Sequence, residues 1–384
     1  MRAVSLVVSA ILTCLSARRA LFLLAALLPG SSTRGDHADP SVVLLVAANE
    51  EAANLERLLG TIEHLDWPED RLQVVLVDDA STDATWELMS RKAAEKENVH
   101  AIRLERRSGK GAALNAGLAA SPDGDVVVVC DADLRLAPDY LRQLVPAFGD
   151  PKVGAAAAFV TSANPNASVV ARYAALETWV HQLVTAAGKD RLGLNPATFA
   201  GSAYRRAALE AVGGFLADSA ADDVGTSAKL TRAGWRTRFV RAARADHSLA
   251  ERASDYWRQH VRWSQNVFNA GREGSAAGPR RLELAFAGIG YGDRLAFGAA
   301  VGLAGTRRMS PAVPASYACL RALEALVAVV KAGEARKLPA YLAAVAVVLP
   351  LDIASAVAGA VALRSASRSA WKRSFRSPIS AAFE

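Results

Sequence analysis

Three cysteines, Cys14, Cys130 and Cys319, are all that 384 residues contain, and they stand far apart. Such spacing gives neither a disulfide framework nor a zinc ligand set. The formal charge is +7 and the sequence pI about 9.5, but the arginines are scattered and no nucleic-acid motif accompanies them, so nucleic acid is not the expected partner. No G-x-G-x-x-G follows the first apolar run, Val42–Ala47, which excludes a dinucleotide-binding dehydrogenase. The turn Ser108-Gly109-Lys110-Gly111 also lacks the spacing of a Walker loop.

Apolar residues are what the chain has in excess. They make up 52% of it, the mean hydropathy is +0.14, and the excess lies at the two ends. That distribution points to membrane segments rather than to a larger core. Residues 3–29 are apolar except for Arg18-Arg19. They read as a membrane anchor or a helical hairpin with the arginines at the interface. A cleaved signal peptide with Leu21–Leu28 as its core is the lesser reading. Near the other end, Ala340–Leu363 is long enough for the roughly 20 residues a bilayer demands. Ala312–Val330 is a weaker span with Arg321 and Glu324 one turn apart, and Ala285–Gly305 is expected in the interface. The chain therefore divides into an N-terminal membrane segment (1–30), a polar linker, a catalytic domain (41–270), membrane or interfacial helices (280–363) and a basic tail (364–384). By the positive-inside rule that tail faces the cytoplasm. Anionic lipid and a diphosphate ligand account for the net positive charge.

Between the apolar ends, strand and helix alternate. Val42–Ala47, Gln73–Val77, Val99–Leu104 and Val126–Cys130 read as strands. Asn49–Gly60, Asp83–Glu97 and Gly111–Ala120 read as helices, the second opened by a Ser81-Thr82-Asp83 cap. The alternation predicts an α/β fold, a Rossmann-like and mostly parallel sheet with helices on both faces. Ligands bind such sheets beyond the carboxyl ends of the strands. Asp78-Asp79 and Asp131-Ala132-Asp133 both stand at such ends.

Each acidic group has two readings taken alone. Asp131 and Asp133, at i and i+2, lie on one side of an extended segment. They suit a hard divalent cation, or a plain turn. An acidic residue after the second strand accepts from a ribose hydroxyl or a base N–H, while Asp83 reads as a helix cap. Ser108–Gly111 is a phosphate-contact turn or an ordinary glycine turn. Asp222-Asp223 is a carboxylate base or a helix N-terminus matched to its dipole. Gln259, Arg262 and Trp263 share one helical face, Arg262 suited to phosphate and Trp263 to a sugar ring or to a core.

Their joint occurrence in order is more specific. The stretch Val42–Asn266 resembles the catalytic domain of a family 2 glycosyltransferase, the GT-A fold. The matching elements are Asn49-Glu50-Glu51, Val77–Asp83, Gly109–Asn115, Asp131-Ala132-Asp133, Gly213-Gly214-Phe215, Asp222-Asp223 and Gln-x-x-Arg-Trp at 259–263. The last resembles the membrane-bound branch of cellulose, chitin, hyaluronan and poly-N-acetylglucosamine synthases and ceramide glucosyltransferases. The resemblance implies a UDP-sugar donor contacted by Asp78, Asp79, Lys110, Asp131 and Arg262. It implies Mg²⁺ or Mn²⁺ held by Asp131 and Asp133, and Asp223 as the base. On the acceptor side it implies Trp263, Gln259, and the Gly201-Ser202 loop. The expected enzyme is an inverting glycosyltransferase of the cell membrane with its catalytic domain in the cytoplasm, extending a polysaccharide. A lipid acceptor is the alternative, and a silent nucleotide-binding subunit of an export assembly is the second. Relatives carry Thr-Glu-Asp where this chain has Ala221-Asp222-Asp223, and its membrane part is small for a polymer channel.

Overall fold

The computed structural model describes residues 2–30, 39–217, 222–270 and 292–362. The basic tail, most of the linker and the start of the expected 285–305 segment lie outside the described residues.

Among the described residues eight strands form one sheet, β1 (Val42–Ala48), β2 (Leu72–Asp78), β3 (Val99–Arg103), β4 (Val126–Cys130), β5 (Arg135–Leu136), β6 (Val153–Ser162), β7 (Ser202–Arg205) and β8 (Arg236–His247). Their order is β3-β2-β1-β4-β7-β6-β8-β5. The first four pair in parallel, as the alternation predicts. β7 runs antiparallel between β4 and β6, β6 pairs in parallel with β8, and β5 closes antiparallel on the end of β8. The sheet is therefore parallel in one half and mixed in the other.

Strands β1 and β4 are near-continuous Val and Leu runs because both faces are covered. Val42, Leu44 and Val46 join the core on one side, and Val43 and Leu45 the core on the other. Helix α2 (Ala52–Ile62) buries Leu55, Leu58, Leu59 and Ile62, the i, i+3, i+4, i+7 stripe of an amphipathic helix. α3 (Thr85–Glu95) starts two residues after Asp83, whose Oδ1 accepts from the Thr85 amide at 3.0 Å. α4 (Lys110–Ala120) follows the glycine turn, and α5 (Tyr140–Leu144) follows β5.

After β6 the chain runs through α6 (Val169–Trp179), a π-helical stretch (Val180–Ala186) and α7 (Ala187–Arg191). The chain then returns, so β7 begins beside the carboxyl end of β4, with Ser202 opposite Val129. α8 (Arg206–Ala211), α9 (Asp222–Arg232) and α10 (Ala253–Ala270) complete the part of the chain built on the sheet.

Among the described residues the apolar ends form four further helices, α1 (Arg2–Leu27), α11 (Gly292–Gly305), α12 (Ala312–Lys331) and α13 (Leu338–Ala362). Three stretches, Ala3–Leu27, Ala312–Lys331 and Ala335–Ala362, are long and apolar enough to cross a membrane. The N-terminal segment is one helix and not a hairpin. Leu23, Ala26, Ala325, Val329, Tyr341 and Val348 pack with Trp179 and Leu183 of the stretch between β6 and β7. Leu24, Leu326, Val330, Leu342 and Val347 are exposed on the opposite side. Arg19 does not reach the interface as expected. It is paired inside this layer with Glu324, Nη1 to Oε2 at 3.2 Å, and with Asp293. A charge among apolar helices is tolerated when it is paired this way.

Candidate active site

The pocket lies at the carboxyl ends of β1, β2 and β4. The Asp79 carboxylate accepts from the backbone amides of Ser108 at 2.6 Å and Gly109 at 2.8 Å. Gly109 has φ +91°, a conformation that favours glycine, and aims those amides inward. The expected phosphate-contact turn is thus closed by Asp79, because a carboxylate satisfies the exposed N–H groups of a helix start. Asn49 Nδ2 donates to the Asp79 carbonyl at 2.9 Å, which ties the ends of β1 and β2.

Asp78 needs correction as a donor contact. It is fully buried, its Oδ1 accepts from the Ser81 amide at 3.0 Å, and its Oδ2 lies 3.2 Å from Arg103 Nε. It holds the turn after β2 and the end of β3, with no surface left for a nucleotide.

Lys110 brings the next two carboxylates together. Its Nζ lies 2.8 Å from Asp131 Oδ1 and 3.6 Å from Asp223 Oδ2. These residues are far apart in sequence, and the glycine motif at 213–214 explains their meeting. Asn115 of α4 exchanges two bonds with Phe215, accepting from its amide at 2.8 Å and donating to its carbonyl at 2.9 Å. A Cβ on Gly111 would stand 2.2 Å from the Leu216 carbonyl oxygen. The 213–217 segment therefore lies directly on the start of α4, and α9 follows it. The Thr198 hydroxyl donates to the Asp223 carbonyl at 2.8 Å and fixes the start of α9.

Asp133 faces a residue that sequence reasoning missed. His247 at the end of β8 has its Nδ1 3.9 Å from Asp133 Oδ2. Burial pushes the His247 imidazole below its ordinary range, against the opposing pull of Asp131 and Asp246. The parallel β6–β8 pairing places Ser162 opposite His247, a cross-sheet registration no local pattern announces.

Helix α10 closes the pocket with the 259–263 motif. Gln259 and His260 are buried, and Trp263 is 39% exposed. Burial lowers the Arg262 guanidinium from its usual value while the Asp131 charge raises it, so Arg262 stands within electrostatic reach of the pocket. The expected acceptor loop is more internal. Ser202 is fully buried, and its hydroxyl closes the turn by donating to the Phe199 carbonyl at 2.6 Å. The Gly201 carbonyl accepts from the Tyr140 hydroxyl, and Gly201 has φ +71°. This corrects the expectation of a direct Ser202 contact, because its hydroxyl is already engaged inside the turn.

The structure thus brings Lys110, Asp131 and Asp223 together, with Asp133 two residues beyond Asp131, Asp79 holding the turn before Lys110, and Arg262 within reach of the Asp131 charge. Carboxylates at strand ends, an ammonium and a carboxylate at helix starts, a cationic helix face and an exposed indole can handle a diphosphate, a cation, a proton and a sugar ring.

Comparison with known proteins agrees. The family model for glycosyl transferase family 2 matches residues 42–213. The β-monoglucosyldiacylglycerol synthase of Synechocystis is 30% identical over 235 residues, covering 60% of this chain and 48% of that protein. The poly-β-1,6-N-acetyl-D-glucosamine synthase of Staphylococcus aureus is 26% identical over 234 residues, covering 58% and 54%. The chain spans about half the length of the curated relatives it matches. Among solved structures, the mannosyltransferase PcManGT from Pyrobaculum calidifontis, in complex with GDP-Man and Mn²⁺, superposes with a TM-score of 0.65 at 25% identity. That likeness covers 93% of this chain and 98% of that one, so it includes the apolar helices as well as the sheet. Sheet order, the carboxylates at the ends of β2 and β4, and these matches together give residues 42–213 the likeness of glycosyltransferase family 2, on a GT-A fold.

Proposed function

We propose that this enzyme transfers a sugar from a nucleotide diphosphate sugar, a UDP-sugar in the first instance, to the hydroxyl of a lipid acceptor at the membrane surface. The observation that carries the acceptor reading is the seat of α10. This helix bears Arg262 and the exposed Trp263, and its inner side packs on the apolar helix α13, where Gly359 approaches Ser264. An acceptor held in a lipid layer would meet the pocket there. The relatives named as glucosyldiacylglycerol synthases support the same reading.

The donor set fits a divalent cation. Asp131 and Asp133 stand on one strand end, with the His247 imidazole 3.9 Å from Asp133. Two carboxylates and an imidazole suit Mg²⁺ or Mn²⁺, Mn²⁺ accepting the nitrogen more readily. When bound, the cation would neutralise charge on the departing diphosphate. Arg262 and Lys110 would add cationic contacts to the same group. Asp223 would take the proton from the acceptor hydroxyl. That oxygen then bonds to the anomeric carbon as the carbon–diphosphate bond breaks. One displacement inverts the centre, so an α-linked donor gives a β-linkage, and no second carboxylate nucleophile is required. With the nucleotide donor supplied from the cytoplasm, the catalytic domain would face that side of the cell membrane.

A growing polysaccharide as acceptor is the second reading, favoured by the poly-N-acetylglucosamine synthase among the relatives. A silent nucleotide-binding subunit has less support, since such a subunit has no use for Asp223 beside Lys110 and Asp131. The test is a donor screen on the full chain in membranes, with UDP-glucose, UDP-N-acetylglucosamine and GDP-mannose. Labelled product that partitions into organic solvent and disappears with EDTA is the expected result. Water-soluble product of high mass supports the polymer reading. Absence of transfer from every donor sinks both.

A further inference from the structure

A dense group of ionised side chains outside the pocket lies between α10 and the apolar helices. Glu177 of α6, Arg294 of α11 and Asp352 of α13 meet there beside His260, the second residue of the 259–263 motif. Arg294 donates from Nε to Asp352 Oδ2 at 2.6 Å and from Nη2 to Glu177 Oε1. The Tyr173 hydroxyl donates to Asp352 Oδ2 at 2.9 Å, and the Tyr256 hydroxyl to Glu177 Oε2 at 2.7 Å. His260 Nε2 lies 3.1 Å from the same Glu177 oxygen. Glu177, His260 and Asp352 are close enough to share a metal ion. The guanidinium already stands between the two carboxylates, so the protein supplies the cation itself.

This group takes no part in the chemistry derived above, yet it touches the helix that does. The His260 ring stacks on Tyr256 at 3.7 Å with 17° between planes, and meets the Trp263 ring edge-on at 4.9 Å and 64°. One turn beyond His260, a Cβ on Gly359 would stand 1.7 Å from Ser264 Oγ, so α10 and α13 are in close approach. The elements joined are a catalytic-domain helix, the pocket helix and two helices of the apolar layer. Ion pairs of this kind contribute little over apolar contacts to stability, but they demand one arrangement of their partners. Arg294 also lies 3.6 Å from Asp293 of its own helix, but its contacts to Glu177 and Asp352 hold only while α6, α11 and α13 keep their present places around α10.

We propose that Arg294, acting through Glu177 and Asp352, is a positioning residue for α10. It sets the angle at which His260 presents Trp263 to the acceptor, and it makes the apolar helices part of acceptor use as well as of membrane attachment. The inference rests on the acceptor reading of Trp263.

The experiment measures acceptor KM, donor KM and donor hydrolysis to water for Arg294→Gln, Arg294→Lys and Glu177→Gln in the full chain in detergent, alongside Trp263→Ala. Arg294→Gln is expected to raise acceptor KM by about tenfold, the cost of roughly one charge-assisted hydrogen bond. Donor KM and hydrolysis should stay within twofold, and Arg294→Lys should recover part of the loss. Arg294→Gln should add little in a Trp263→Ala background, since both act on the same contact. Glu177→Gln, nearly isosteric, gives the same readout should Arg294→Gln fail to fold. A rise of both KM values with a fall of hydrolysis, in parallel with a loss of thermal stability, or additive effects in the double variant, overturns the proposal. If Trp263→Ala leaves acceptor KM unchanged, the acceptor reading itself fails, an outcome distinct from an effect of Trp263→Ala without one of Arg294→Gln.

Discussion

The pocket and the apolar layer both collect charge at the edge of the catalytic domain, and they handle it differently. In the pocket the side chains of Asp131, Asp223 and Lys110 retain 34%, 24% and 21% of their exposure. In the layer, Glu324 and Asp352 retain 1% each, enclosed by guanidinium groups and, at Asp352, by the Tyr173 hydroxyl. Partly exposed charges joined by one lysine can exchange partners when a ligand arrives. Desolvated charges held by arginine forks cannot without leaving a bare ion in a low dielectric. One group is built to change partners, the other to keep them.

The largest effect should come from the exchangeable group. Asp131→Ala or Asp133→Ala is expected to abolish metal-dependent transfer while the thermal midpoint stays near that of the parent. A divalent cation relieves the repulsion between these two carboxylates, so losing one removes both ligand and reason for binding. Metal titration followed by transfer assays checks it, and full activity of the parent in excess EDTA would contradict the metal role.

Arg262 and Trp263 are neighbours with opposite expected signatures. Arg262→Ala should weaken donor binding by about ten- to a hundredfold, the equivalent of roughly 1.5–3 kcal/mol for a hydrogen bond to a charged group. Trp263→Ala should leave donor binding alone and raise acceptor KM. Donor and acceptor constants for both variants sharpen the division of α10 into a phosphate side and a sugar side. Unfolding of Trp263→Ala would instead make the indole part of the core.

The smallest effect concerns pH. His247 is held neutral by burial below its ordinary value of 6.5. Its folded pKa is depressed, so the unfolded chain takes the proton first as pH falls below 6.5. Stability of the EDTA-treated protein should be flat with respect to this group above that value and decline on acidification. His247→Asn should remove part of the decline. Thermal midpoints over a pH series measure it, and an unchanged slope would place the acid sensitivity elsewhere.

The parallel half of the sheet was legible because β1, β2 and β4 are largely Val and Leu runs, β2 and β4 ending at acidic residues. β4 was predicted to the residue, Val126–Cys130. In the mixed half β5 is two residues long and β7 four, too short for any period to show. Asp131, Asp223 and Lys110 were found by motif, and the structure adds that Asn115 and Phe215 are what join them. Asp78 and Ser202 were misjudged because a motif records which residues recur and not whether they face a ligand or hold a turn. His247 and Arg294 depend on pairings between distant segments. The signal that could have pointed to the second is the set of charges inside apolar runs, Arg19, Glu324 and Asp352, each of which needs a partner.

The central claim is that one pocket separates donor binding from proton abstraction, and Asp223→Asn tests it most directly. The amide keeps the shape and removes the base. Binding of the metal–nucleotide complex, measured by calorimetry on the full chain in detergent, should match the parent. The transfer rate should fall by on the order of 10²–10⁴, the usual cost of losing a general base. Transfer at the parent rate would contradict the account and move the base to another residue, with Asp222 the first to examine.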